Sequence, residues 1–159
     1  MSDDTLLVFH VLAAFCFVSG SVVAGILHWL AMRRDRPSEI ALLLGLVRPM
    51  VAVIGVGSIA ALAFGIWLTQ DDPDGVALGD AWVIAAIVLW LVAGVLAGPA
   101  GKRLRHAREL AERMAADGDR PSAVLHDAVA DRGTLALNYA SFAAVLAILV
   151  LMVFKPGAG

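Results

Sequence analysis

Four stretches of this chain, residues 5–32, 39–69, 81–98 and 135–154, stay apolar for long enough to cross a lipid bilayer. A helix climbs about 1.5 Å per residue and the hydrocarbon layer is about 30 Å thick, so roughly 20 apolar residues suffice. Inside hydrocarbon only the protein can satisfy a backbone N–H or C=O, which leaves helices and closed barrels as spanning structures. Barrel strands need only about 9–11 residues. These stretches are far longer, so the expectation is an all-α fold: a four-helix transmembrane bundle forming one domain over residues 1–159. Composition agrees, since 60% hydrophobic and 16% charged residues with mean hydropathy +0.85 are too apolar for a soluble surface. The single cysteine, Cys16, excludes an intramolecular disulfide and a cysteine-rich metal centre.

The connections differ in charge. RRDRPSE joins the first two spans, and the segment 102–132 between the last two carries seven Lys or Arg, whereas QDDPDGVALGD between the middle spans carries none. With Arg48 counted on the same side, eleven of the twelve basic residues share one face. Basic residues near span ends mark the cytoplasm, so both termini are expected outside. The opening MSDD has neither a basic region nor a small-residue cleavage site, and the first span therefore reads as a retained anchor.

Trp favours the membrane interface and serves as a depth ruler. Counting about 20 residues inward from Trp67 reaches Val47 and Arg48, which places the guanidinium at the inner boundary, where its stem can snorkel. The competing reading turns Arg48 into the bundle as part of a polar site. Pro49 removes a backbone hydrogen bond to Gly45, which predicts a modest kink. Trp29 marks the inner end of the first span and His10 then falls at its outer end, with His28 beside Trp29. The two histidines are about 27 Å apart along a helix and cannot share a metal or a haem. Trp82 marks the outer end of the third span. The interface anchors are thus Arg48, Trp29, Trp67 and Trp82.

Small residues recur at four-residue spacing in Gly57-Ala61-Gly65, Gly94-Gly98 and Ser21-Gly25, grooves that let helix backbones approach. They serve packing within the chain, a homo-oligomer or another membrane protein. In KRLRHARELAERMAADG, residues Leu104, Ala107, Ala111 and Met114 follow three-four spacing. This amphipathic segment either lies on the membrane or continues the third span past Pro99. A short helix is expected over 122–129. Acidic residues interrupt the basic run and no aromatic platform accompanies it, so nucleic acid is not an expected partner and the lipid bilayer is. His106 and His126 belong to this solvated surface.

Catalytic signatures are sparse: no phosphate loop, no His-Glu-x-x-His, no CxxC and no acid inside a span beyond Glu39 at the edge of the second. Ser19, Ser21, Ser58 and Thr69 are expected to satisfy backbone carbonyls. His10 remains, an ionisable ring that is either an interfacial hydrogen-bonding group or a ligand to haem or metal.

FHVLAAFCFVSG with His10 and Gly20, the basic first loop, Arg48-Pro49 leading to Gly65-Ile66-Trp67-Leu68, and the closing LMVFKPG resemble a superfamily of small bacterial membrane proteins. It includes HemJ-type protoporphyrinogen oxidases, the copper-resistance-D-type membrane domain and an uncharacterised family of predicted integral membrane proteins of this length, which the chain resembles best. The HemJ type implies a haem b whose first-span ligand corresponds to His10. That type also carries a lysine in the third span and an Asn-Glu pair opening the last. Here AWVIAAIVLWLVAG lacks the lysine and Asn138 stands without the acid, which argues against the same oxidase chemistry. The five methionines do not cluster as a soft-metal relay would. The leading expectation is a non-catalytic accessory bundle of the bacterial plasma membrane. Its alternatives are a haem-binding redox protein using His10 and Met152, in which case the chain would be a membrane oxidoreductase, and a subunit of an oligomeric transporter or channel.

Overall fold

A computed structural model describes residues 3–70 and 77–156. Asp71, Asp72 and Asp74 of the acidic connection lie outside the described residues. The chain forms α1 (Asp3–Ala31), α2 (Pro37–Leu68), α3 (Ala81–Ala116), α4 (Ala123–Val129) and α5 (Arg132–Phe154), with no strand among the described residues. Four helices are long and apolar enough to cross a membrane. Their outer faces carry large exposed apolar side chains, with Phe15 at 70%, Val95 at 73% and Val153 at 75%. In water such faces would drive association; in hydrocarbon they cost nothing.

Local chemistry sets the helix boundaries. Pro37 occupies the first turn of α2, where its missing N–H is not needed, after an extended Arg36. The cap comes from far along the chain: the Asp119 carboxylate accepts from Ser38 N and Ser38 Oγ, both at 2.7 Å. Asp131 caps α5 in the ordinary way, accepting from Thr134 N at 2.7 Å and Thr134 Oγ1 at 2.8 Å, and it also pairs with Arg103 at 3.0 Å. The α5 helix stops at Lys155, whose φ of 38° is left-handed, just before Pro156. The α2 helix passes through Pro49 as one element.

Of the two readings of the amphipathic segment, the second holds. The α3 helix runs 36 residues through Pro99, about 54 Å, so roughly 24 Å of it projects beyond a 30 Å hydrocarbon layer. Its projecting part packs against the ends of α1 and α2 and against α4. There Ala31, Ile40, Leu44, Ala107, Ala111, Leu125 and Val129 form a core in which no residue is more than 3% exposed. This core occupies the basic end of the molecule. His28, 4% exposed, donates Nε2–H to the Val129 carbonyl at 2.9 Å, and the Asn138 amide lies 3.4 Å from its Nδ1.

The long helices form two intimate pairs, α1 with α2 and α3 with α5, joined through α2 and α3, while α1 and α5 barely meet. The groove on α2 explains the first pair. A Cβ on Gly57 would stand 2.8 Å from Phe17 N and 2.9 Å from Ala13 O, so only glycine allows the two backbones this close. Gly25, Gly94 and Gly98 have nothing within 4 Å of the same position among the described residues. Ser141 Oγ donates to the Ala93 carbonyl at 3.0 Å, tying α5 to α3 near mid-span.

Candidate functional site

Because α1 and α5 diverge, the acidic half of the bundle is hollow. A partly open chamber of about 810 Å³ lies there, lined by all four long helices, with the exposed Phe15 of α1 and Val153 of α5 on its rim. That volume falls within the roughly 300–1,000 Å³ of small-molecule sites. Its walls are mainly aliphatic and aromatic, with His10 from α1, Ser58 from α2, Trp82 and Trp90 from α3 and Met152 from α5.

His10 is held in one orientation. Its Nδ1 lies 2.9 Å from the Ala61 carbonyl. A carbonyl only accepts, so Nδ1 carries the proton and Nε2 keeps the lone pair. Gly65 makes room for the ring, since a Cβ there would stand 3.0 Å from His10 Cε1. One groove on α2 therefore does two things: at Gly57 it admits a backbone, and at Gly65 it admits an imidazole. The hydroxyls nearby are already engaged. Ser58 donates to the Gly55 carbonyl at 3.1 Å and Thr69 to Ile66 at 2.8 Å; Ser21 bonds Phe17 at 2.8 Å and Ser19 bonds Cys16 at 3.3 Å, as expected for hydroxyls in apolar helices.

The sequence-derived site residues separate into different environments. His10 and Met152 line the same chamber. Trp29 and Trp67 are 44% and 49% exposed on opposite ends of the bundle, and the Arg33 guanidinium stacks 3.9 Å from the Trp29 ring centroid. Trp82 is instead 7% exposed and forms part of the chamber wall, where its indole Nε1 has no hydrogen-bond partner among the described residues. Arg48 is exposed on α2 and has no ion-pair or hydrogen-bond partner among the described residues. At the chamber mouth stand Asp4 and Lys155.

A smaller cleft of about 260 Å³ at the basic end is bounded by Arg34, Asp35, Ser122 and His126. Among the described residues no three of His, Cys, Asp and Glu gather as a metal cage, and His106 and His126 remain on the surface. Electrostatic tuning at this end falls on two carboxylates. Hydrogen bonds from the Ser38 side chain and backbone hold Asp119 below its ordinary pKa, and those from Thr134, with Arg103 beside it, do the same for Asp131.

The link from His28 to Val129 and Asn138 was not legible as a unit. Its one sequence signal was the chain's single asparagine, placed inside the last helix. The chamber gave no signal, because a void has no period.

Four apolar helices, paired two and two around a half-hollow interior, define a membrane-bundle protein. The chain belongs to the family described as predicted integral membrane protein (DUF2269), whose model matches residues 4–156. No curated protein and no solved structure matches it.

Proposed function

We propose that the protein is a non-catalytic accessory bundle of the bacterial plasma membrane that holds one apolar molecule in the chamber. Both termini and the chamber lie at the outer leaflet, and the packed basic end lies in the cytoplasm. The chamber itself carries the reading: about 810 Å³ of mainly apolar space whose hydroxyls are already bonded to their own helices. Orientation follows from the basic residues gathered at the opposite end. A polarity-sensitive apolar dye tests the chamber. Wild-type protein in detergent should bind it saturably at one site, and Ala14→Phe, which fills the lining, should abolish that site. Unsaturable partition, equal in both proteins, would refute the reading. A reporter active only in the cytoplasm, fused to the C-terminus, should give no signal.

One observation favours a second reading, in which the molecule is haem b. A ligating histidine almost always donates its other ring N–H to a carbonyl or carboxylate, and Ala61 receives that bond from His10. The donor set fits: an imidazole with Nε2 free, a thioether on Met152 and apolar walls. His10 and Met152 would hold the group, which when bound supplies one-electron chemistry. Ala61 fixes the tautomer and Gly65 admits the ring. A Soret band present in wild type and lost in His10→Ala would support this reading, and its absence after expression with ample haem would remove it.

A further inference from the structure

We infer that the chamber takes one acyl chain of a zwitterionic phospholipid, which enters from the surrounding leaflet through the seam between α1 and α5. The inference rests on the chamber being a ligand site and names its occupant. Three observations meet at that seam. First, the chamber suits an apolar chain. Its walls are mainly apolar, Ser58 and Thr69 have given their protons to carbonyls of their own helix, and His10 has given Nδ1–H to Ala61, which leaves the Trp82 Nε1–H and His10 Nε2 as the uncommitted polar atoms of its wall among the described residues. Second, α1 and α5 are the neighbouring long helices that barely meet, so the chamber is least closed on the side where the adjoining fluid is hydrocarbon. A lipid chain reaches it without crossing a polar barrier.

Third, the mouth carries one charge of each sign on the two helices that flank this seam. Asp4 stands at the start of α1 and Lys155 closes α5. Both are exposed, and neither has an ion-pair partner among the described residues. A head group bearing an ammonium and a phosphate matches this pair, the ammonium toward Asp4 and the phosphate toward Lys155. A singly anionic head group satisfies Lys155 and is repelled by Asp4. One chain lies in the chamber while the other stays in the bilayer outside the seam.

The chamber provides its own reporters. Trp82 and Trp90 line it, and Trp82 at 7% exposure is shielded from lipid outside the bundle. In a Trp29→Phe/Trp67→Phe background, fluorescence reports on these two residues alone. The protein is reconstituted in nanodiscs with a small fraction of lipid brominated on its chains, zwitterionic phosphatidylethanolamine in one arm and anionic phosphatidylglycerol in the other. A brominated alkane without a head group serves as a third arm. We expect saturable quenching by the zwitterionic lipid with a midpoint several-fold below that of the anionic lipid. Ala14→Phe should lose this quenching. Asp4→Asn/Lys155→Gln should keep it and lose the head-group preference. Equal, unsaturable quenching by both lipids that ignores Ala14→Phe would overturn the inference. Quenching by the alkane alone, sensitive to Ala14→Phe, would overturn the phospholipid and leave the chamber as a ligand site. No Ala14→Phe-sensitive quenching in any arm would overturn both.

Discussion

The two ends of the bundle solve opposite problems with the same four helices. At the basic end the helices leave the hydrocarbon and meet water, and the chain closes them with a dry core and two capping aspartates. At the acidic end α1 and α5 part, and a chamber opens among residues that could have packed. Water explains the asymmetry. Burial of Ile40, Leu44, Leu125 and Val129 outside the membrane draws on the hydrophobic effect, at about 1.5–3 kcal/mol for each side chain fully buried. Within lipid that driving force is missing and helices associate through close packing and hydrogen bonds, so a hollow costs less.

The largest effect that would break this contrast lies in the basic core. Leu125→Ala should destabilise the protein by about 2–5 kcal/mol, the usual cost of a truncated buried leucine. Leu62→Ala, on the chamber wall, should cost less than about 1 kcal/mol, because it enlarges space that is already open. Unfolding titrations of the two variants in one lipid condition would settle the matter; equal losses would mean that the chamber is not hollow in the membrane.

Next in size is the α1–α2 contact. Gly57→Ala forces a methyl against the α1 backbone and should cost about 1–3 kcal/mol, whereas Gly94→Ala should be neutral or slightly stabilising. A loss in Gly94→Ala similar to that in Gly57→Ala, measured as protein concentration is varied, would reveal a second chain seated on α3.

Acid should loosen the basic end first. Hydrogen bonds hold Asp119 and Asp131 below the ordinary carboxylate value of 3.8. Their contribution is therefore complete above that value and fades as pH falls through the lower folded values. Amide exchange near Ser38 and Thr134 should accelerate below about pH 3.8 while residues around the chamber stay unchanged. Asp119→Asn should show the Ser38 effect at neutral pH.

The smallest expected change is at Arg48. It is exposed and unpaired among the described residues, and we propose that it acts as a snorkelling anchor. Arg48→Lys should then lie within about 0.5 kcal/mol of wild type. A loss of several degrees in melting temperature would mean that the guanidinium makes a bidentate contact lysine cannot reproduce.

Much of this architecture is legible because span length alone identifies the long helices. The continuity of α3 was legible only as one of two readings. Gly98-Pro99-Ala100-Gly101 does not decide between them, and the helix continues with Ala107 and Ala111 packed in one core with Ile40 and Leu44. That packing comes from residues some 65 positions away and leaves no local trace. The site shows the same division. His10 was distinguishable as an ionisable ring at the outer end of an apolar helix, and Met152 by its depth. Their common chamber depends on where α1 and α5 fail to touch, which no periodicity encodes. The clamp of His28 on Val129 joins residues 101 positions apart and is equally silent in either local sequence.

The cap on α2 imposes an order on biosynthesis. Ser38 waits for a carboxylate made 81 residues later. At about 5–20 residues per second the ribosome takes roughly 4–16 s to deliver it. For that interval the turn between α1 and α2 is unlatched, and only when residue 119 is made does the start of α2 gain the partner that fastens it. The protein is thus assembled as a hinge first and a lock second.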